Sequence, residues 1–137
     1  VNKNDETINK AINLGKIGLN LKESVGDRDE MPVVLHNYAL NILYKISNIF
    51  DEELCNIVLR KTNEALEILE YTKSIKRLGM VLIENYIAKS LLQLDTKDVV
   101  DKLKKNISIF KESELKQMMH IYNQFIKNNK IEKLDFL

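Results

Sequence analysis

The sequence contains few of the residues that build the commonest small functional sites. It has no tryptophan, one cysteine (Cys55), one proline (Pro32) and four glycines in 137 residues. A single cysteine excludes a disulfide within the chain and a zinc site made of cysteines alone, and it fits a reducing compartment. The glycines are scattered, so no glycine-rich loop is present that could hold a phosphate. We therefore expect the protein to bind no cofactor and no metal.

The sequence also lacks a long hydrophobic run and a strong net charge. Its longest apolar stretch, residues 78–83, is far shorter than the roughly 20 residues that a membrane-spanning helix needs. Without a recognisable secretory signal or lipidation motif, we expect a cytoplasmic location and no membrane span. Since the first residue is Val rather than Met, we expect that the N-terminus has been trimmed. The formal net charge of +1 supplies no global field that would attract nucleic acid or an anionic membrane.

Helical periodicity, by contrast, continues from about residue 5 to residue 128. Apolar residues recur at i, i+3, i+4 and i+7, which places them on one stripe of an α-helix. In the second predicted helix the stripe consists of Leu35, Tyr38, Ala39, Ile42, Leu43, Ile46 and Ile49. A chain of this length is expected to form one domain with its own core. We predict a single all-α domain over residues 1–128 and a C-terminal tail over residues 129–137.

Six helices are predicted, beginning at about residues 5, 29, 51, 73, 95 and 113. The short loops between them favour antiparallel helical hairpins. Pro32 suits the first turn of the second helix, Asp51 can cap the third, and Ser113 opens the sixth. The helix from about Lys73 to Leu92 is apolar around most of its circumference, which is typical of a central helix. Such helices could form either a compact bundle or an open α-solenoid.

No arrangement of side chains in the sequence is typical of an active site. His36 and His120 are the only histidines, and histidines inside helices with apolar neighbours are more often hydrogen-bonded boundary residues than bases. Cys55 lies on an apolar stripe, and its acidic surroundings would raise the pKa of its thiol. We expect Cys55 to be a packing residue and the protein not to be an enzyme.

Charge is distributed unevenly along the chain. Residues 51–70 include six acidic and two basic side chains, whereas residues 73–111 include nine basic and four acidic ones. The simplest interpretation of both segments is a solvated helix face. The lysines of residues 97–105 have no interleaved aromatic residue for base stacking, and no helix-turn-helix with a polar recognition helix is found. Nucleic-acid binding is therefore not favoured and stays a third alternative.

Asparagines adjacent to aromatic residues recur on the even-numbered predicted helices. They occur as Asn37-Tyr38, Asn41 with Tyr44, Asn85-Tyr86 and Tyr122-Asn123. Asparagine is a mediocre helix former, but its amide can both donate to and accept from a peptide backbone. Composition is the alternative explanation, since fifteen asparagines are spread over the chain.

Taken in pairs, the helices resemble tetratricopeptide repeats of the longer type. Residues 63–68 (Asn-Glu-Ala-Leu-Glu-Ile) and 105–109 (Lys-Asn-Ile-Ser-Ile) look like the end of a repeat's second helix, and residues 25–28 are similar to its inter-repeat turn. Asn37-Tyr38 and Asn85-Tyr86 occupy comparable places in the first helices. The chain departs from the family pattern because it has no Trp-x-x-Leu-Gly segment and no proline that closes a repeat. A compact bundle therefore stays an alternative.

The resemblance implies a scaffold whose even-numbered helices line a concave groove for a peptide or a partner helix. The groove candidates that it implies are Asn37, Asn41, Tyr44, Asn85, Lys89 and Asn123. The leading hypothesis is a non-catalytic protein- or peptide-binding module within a larger regulatory or scaffold protein, with the asparagines on one exposed surface. One alternative is a structural bundle that forms a homodimer. Another is an enzyme, which would need a polar pocket around His36 or His120.

Overall fold

The computed structural model describes residues 3–25, 30–128 and 130–137. These residues form six α-helices, and a short 3-10 helix (Ile107–Ile109) follows the fifth. The α-helices are α1 (Lys3–Val25), α2 (Met31–Ile46), α3 (Glu52–Thr72), α4 (Leu78–Leu91), α5 (Lys97–Asn106) and α6 (Glu112–Ile126). No β-strand occurs in the described ranges, so the predicted all-α fold is confirmed. Most of the expected inter-repeat turn, residues 26–28, lies outside the described residues.

Local sequence explains how α2 and α3 begin. Pro32 lies in the first turn of α2, where its missing N–H leaves no helical hydrogen bond unmade. Asp51 is the N-cap of α3, and its side chain accepts a hydrogen bond from the N–H of Leu54 at 3.0 Å. Both starts were predicted from the sequence and are confirmed.

The start of α4 differs from the prediction. This helix begins at Leu78 rather than near Lys73, because Lys73 and Arg77 adopt left-handed backbone conformations with φ of 55° and 64°. Glycine or asparagine usually occupies such positions. Neither is present here, so the sequence carried no signal for the break between α3 and α4.

Helix α4 is the centre of the molecule, as its apolar circumference predicted. It packs against α2, α3, α5 and α6, and every residue from Gly79 to Ala88 is buried. The even-numbered helices also contact one another directly, α2 with α4, α4 with α6, and α2 with α6. Within the described residues, no helix is both long enough and apolar enough to cross a membrane.

Helix α6 approaches the first turn of α4 closely. A Cβ atom on Gly79 would lie 2.6 Å from Sδ of Met118 and 2.9 Å from Oε1 of Glu114. The same Glu114 oxygen accepts a hydrogen bond from the N–H of Met80 at 3.2 Å. Because the N-cap residue Arg77 makes no side-chain cap hydrogen bond, Glu114 caps α4 from a different helix.

The C-terminal tail packs onto the helical body. The hydroxyl of Tyr86 donates to the carbonyl of Glu132 at 2.7 Å, and the hydroxyl of Tyr122 accepts from the N–H of Leu134 at 2.6 Å. Ile131 is buried among the core residues. Residues 130–137 therefore extend the core and do not project from it.

Candidate ligand-binding cleft

A cleft with a volume of about 490 Å³ opens between α2, the start of α4, and α6. We call it the central cleft. It is lined by Val33, His36, Asn37, Leu40, Tyr44, Arg77, Met80, Lys116, Gln117 and His120. Apolar walls with a few convergent polar groups are typical of pockets that bind ligands.

Helical spacing brings the α2 side chains of the cleft together. Val33, Asn37, Leu40 and Tyr44 follow one another at intervals of three or four residues, so they share a face of α2. The fully buried stripe that includes Leu35, Ile42 and Ile46 lies on another face of the same helix and packs into the core. Helix α2 therefore packs into the core with one face and lines the cleft with another.

A buried histidine–carboxylate pair connects the central cleft with the core. Nδ1 of His36 lies 2.7 Å from Oε2 of Glu84, and the two residues are 4% and 0% exposed. The second oxygen of Glu84, Oε1, has no hydrogen-bond partner among the described residues. Burial raises the pKa of Glu84 to about 7, and the neighbouring His36 only partly offsets this rise.

The protonation of this pair decides what His36 offers a ligand in the cleft. When the two side chains share an extra proton, Nδ1 is engaged with Glu84 and Nε2 carries a hydrogen that it can donate. When that proton is lost, the remaining ring proton lies on Nδ1, hydrogen-bonded to Glu84, and Nε2 becomes an acceptor. The pair can thus present either a donor or a base to the cleft.

The rim of the central cleft is aromatic and cationic. The rings of Tyr44 and His120 pack with their centroids 6.1 Å apart and their planes at 55°. Burial, and then the negative charge of Glu84, raise the pKa of Tyr44 above its ordinary value, so its hydroxyl stays protonated at neutral pH. Arg77 and Lys116 supply the formal charges of the lining.

The structure distributes the predicted groove residues over several places. Asn37 and Tyr44 line the central cleft. Asn41 lies one turn further along α2, where its side-chain amide donates to the carbonyl of Asn37 at 3.0 Å. Asn123 is exposed on α6 but is not one of the residues that line the central cleft.

Asn85 and Lys89 belong to a second, smaller cleft between α3, α4 and α5. Asn85 is fully buried, and its amide donates to Oγ1 of Thr62 and to Oδ1 of Asn63, both at 2.9 Å. The expectation that the asparagines share one exposed surface is therefore wrong for Asn85. The physical reason is that α4 is contacted on several sides, so the polar residues Glu84 and Asn85 in its middle are enclosed.

Sequence reasoning missed Glu84, although a signal was present. It is the one charged residue between Arg77 and Lys89, inside a helix that is otherwise apolar. A carboxylate in such a setting is normally either paired or functional. His36 was expected to be a hydrogen-bonded boundary residue, and its hydrogen bond is confirmed, but its near-complete burial beneath a cleft was not predicted.

Cys55 is a buried packing residue, as the sequence predicted. It is 0% exposed, and its thiol lies 3.5 Å from the carbonyl of Ala88. Burial, and then the charge of Glu52, raise the pKa of the thiol to about 11. Across the described ranges, no group of three or more His, Cys, Asp or Glu side chains is arranged to hold a metal ion.

No family model, curated protein or solved structure matches this chain.

Proposed function

We propose that the protein is a non-catalytic peptide-binding module and that the central cleft holds the peptide. The observation that supports this most directly is the position of the cleft on the contacting row of α2, α4 and α6. The resemblance to tetratricopeptide repeats implies a binding groove on the same helices. We further propose that the module acts in a reducing compartment such as the cytoplasm, in keeping with its single buried cysteine.

The lining chemistry suits a peptide. Val33, Leu40 and Met80 offer apolar surface for a side chain. Asn37 and Gln117 are exposed at the rim, and each amide can donate to and accept from a peptide backbone. Neither amide makes a side-chain hydrogen bond with the described residues, so both are available to a ligand.

A homodimer is not needed to explain the apolar excess of α4. Residues Gly79–Ala88 of this helix are buried within a single chain. The hydrophobic surface of α4 is thus used inside the domain.

The proposed function can be tested by panning a phage-displayed library of random twelve-residue peptides on the immobilised protein. Two variants of α6 serve as probes of the site. Gln117→Trp places a bulky ring at the rim of the central cleft, whereas Gln124→Trp places the same ring at an exposed position on the same helix outside the cleft. Affinities of the enriched peptides are then measured by fluorescence anisotropy.

We expect enriched peptides to bind the unmodified protein and Gln124→Trp equally, and to bind Gln117→Trp at least about tenfold more weakly, a loss of about 1.4 kcal/mol. Failure to enrich any sequence, or equal binding to both variants, would overturn the proposal.

The His36–Glu84 pair favours a second candidate function, general-base catalysis. In its deprotonated form, Nε2 of His36 would take a proton from water or from a substrate hydroxyl, and Glu84 would stabilise the resulting imidazolium. Hydrolysis of p-nitrophenyl acetate tests this candidate. A rate that rises between pH 6 and pH 8 and is lost in His36→Gln supports it, whereas a rate unchanged in His36→Gln rejects it.

A further inference from the structure

The central cleft has a charge bias that distinguishes it from the second cleft. Its charged lining residues are Arg77 and Lys116, and no Asp or Glu occurs among the lining residues that the structure describes. The second cleft mixes both signs, with Glu67, Glu70 and Asp98 beside Lys89 and Lys102. A positively biased concave site favours a negatively charged ligand group and disfavours a positive one.

Both cations of the central cleft are available to a ligand. Arg77 forms no ion pair within the described residues. Lys116 lies 3.7 Å from Glu112, but both side chains are highly exposed, and such a pair one helical turn apart contributes little. A ligand carboxylate can therefore recruit both side chains at small cost.

His36 supplies a third contact, deeper in the cleft. Because Glu84 engages Nδ1, the ring nitrogen left for a ligand is Nε2, which has no hydrogen-bond partner among the described residues. With the shared proton present, Nε2–H donates to an anion while Glu84 holds the ring in place.

We propose that the ligand group recognised in the central cleft is an acidic side chain of the bound peptide, an extension that rests on the proposed function. Its carboxylate binds Arg77 and Lys116 and accepts a hydrogen bond from Nε2–H of His36. A side chain fits this geometry because its one or two methylene groups let the carboxylate reach a buried nitrogen while the peptide backbone stays at the rim. There the amides of Asn37 and Gln117 can bind the backbone.

The proposal carries a pH dependence. Burial keeps the pKa of Glu84 near 7, so the pair loses its shared proton as the pH rises from 6 to 8, and Nε2 changes from donor to acceptor. Of the other titratable or charged groups, Tyr44 on α2, Arg77 at the start of α4, and Lys116 and His120 on α6 line the same cleft, and the charge of Glu84 acts on Tyr44. Glu114 on α6 and Cys55 on α3 contact the backbone of α4. Peptide affinity should therefore fall as the pH rises, since a carboxylate binds a donor and not a lone pair.

The test uses the strongest peptide from the display selection, labelled with fluorescein at its N-terminus, and measures its dissociation constant by anisotropy. We expect the selected sequences to share an Asp or Glu at one aligned position. Changing that residue to its amide should weaken binding by about tenfold. Arg77→Gln and Lys116→Gln should each weaken binding by about fivefold, whereas the exposed controls Arg60→Gln and Lys105→Gln should not.

Measuring the dissociation constant at several pH values distinguishes the role of His36 from that of His120, the other histidine of the cleft. His36→Gln should remove the loss of affinity between pH 6 and pH 8, while His120→Gln should retain it. Peptides that bind the cleft without an acidic residue, or that bind Arg77→Gln and Lys116→Gln as tightly as the unmodified protein, would overturn this inference and leave the proposed function standing. If no peptide binds the cleft at all, both this inference and the proposed function are wrong.

Discussion

Glu84 and His36 lie 48 residues apart in the sequence, on α4 and α2, yet their side chains meet at 2.7 Å in the interior. A carboxyl group that is fully buried ionises reluctantly, because the protein solvates its charge less well than water does. The pair therefore couples the stability of the fold to pH as well as shaping the cleft.

The first prediction concerns this pH dependence. The pKa of Glu84 is raised from 4.5 to about 7 in the folded protein, so the folded state binds more protons than the unfolded chain between these values. The stability that Glu84 contributes is therefore fully present below about pH 4.5, and it is lost as the pH rises through about 7. Glu84→Gln resembles the protonated form and lacks this titration.

Thermal unfolding followed by circular dichroism between pH 4.5 and pH 8 measures the effect. The melting temperature of Glu84→Gln minus that of the unmodified protein should become more positive as the pH rises. The comparison cancels the pH dependence that the two proteins share. A difference that stays constant across this range would contradict the raised pKa.

The second prediction concerns the close approach of α6 to α4. Gly79→Ala introduces a Cβ that would lie 2.6 Å from Sδ of Met118, and we expect it to lower the free energy of unfolding by about 1–3 kcal/mol through overpacking. Gly18→Ala is the matched control, because a Cβ there meets nothing within 4 Å. That control should be stabilising by up to about 1 kcal/mol, through helix propensity.

Urea denaturation measures the change in the free energy of unfolding for each of the two alanine variants. The packing explanation would be rejected if Gly79→Ala were as stable as Gly18→Ala.

A third prediction follows from the burial of Asn85. Its amide donates to Thr62 and Asn63, and Asn85→Asp replaces that donor with an acceptor that is costly to ionise in the interior. We expect a loss of about 3 kcal/mol in the free energy of unfolding at pH 7. Asn37→Asp, the same change at an exposed position on α2, should change it by less than about 0.5 kcal/mol.

Guanidinium unfolding of these two variants makes the comparison. Equal effects at positions 85 and 37 would show that the buried amide network adds nothing to stability.

The fourth prediction concerns Cys55. Full burial and a thiol pKa raised to about 11 should make the folded protein unreactive toward 5,5′-dithiobis(2-nitrobenzoic acid) at pH 8. In guanidinium chloride the same thiol should react completely. The absorbance at 412 nm follows both reactions, and rapid labelling of the folded protein would show that Cys55 is accessible.

The sequence was a good guide wherever a local pattern has one physical meaning. Apolar periodicity predicted the six helices, and Asp51 was recognised as the N-cap of α3 from its position before Glu52 and Glu53. The pattern did not predict the helix break at Lys73 and Arg77. Lysine and arginine rarely adopt positive φ, and the residues next to them in the sequence give no signal for this conformation.

The candidate site was only partly predictable. Asn37 and Tyr44 were chosen from helix α2 and line the central cleft. Asn85 was chosen by the same reasoning but is buried. Because α4 is apolar on nearly every side, its sequence does not show which side would face the predicted groove. Arg77, Lys116 and Gln117 could not have been grouped with them, because only tertiary packing joins the start of α4 to α6.

The carboxylate of Glu114 caps the first turn of α4 by accepting from the N–H of Met80, which precedes it by 34 residues. During synthesis, α4 leaves the ribosome before α6, so the N–H of Met80 has no hydrogen bond to Glu114 until α6 has been made. Since Arg77 and Met80 at this turn line the central cleft together with residues of α6, the cleft is complete only after α6 has emerged.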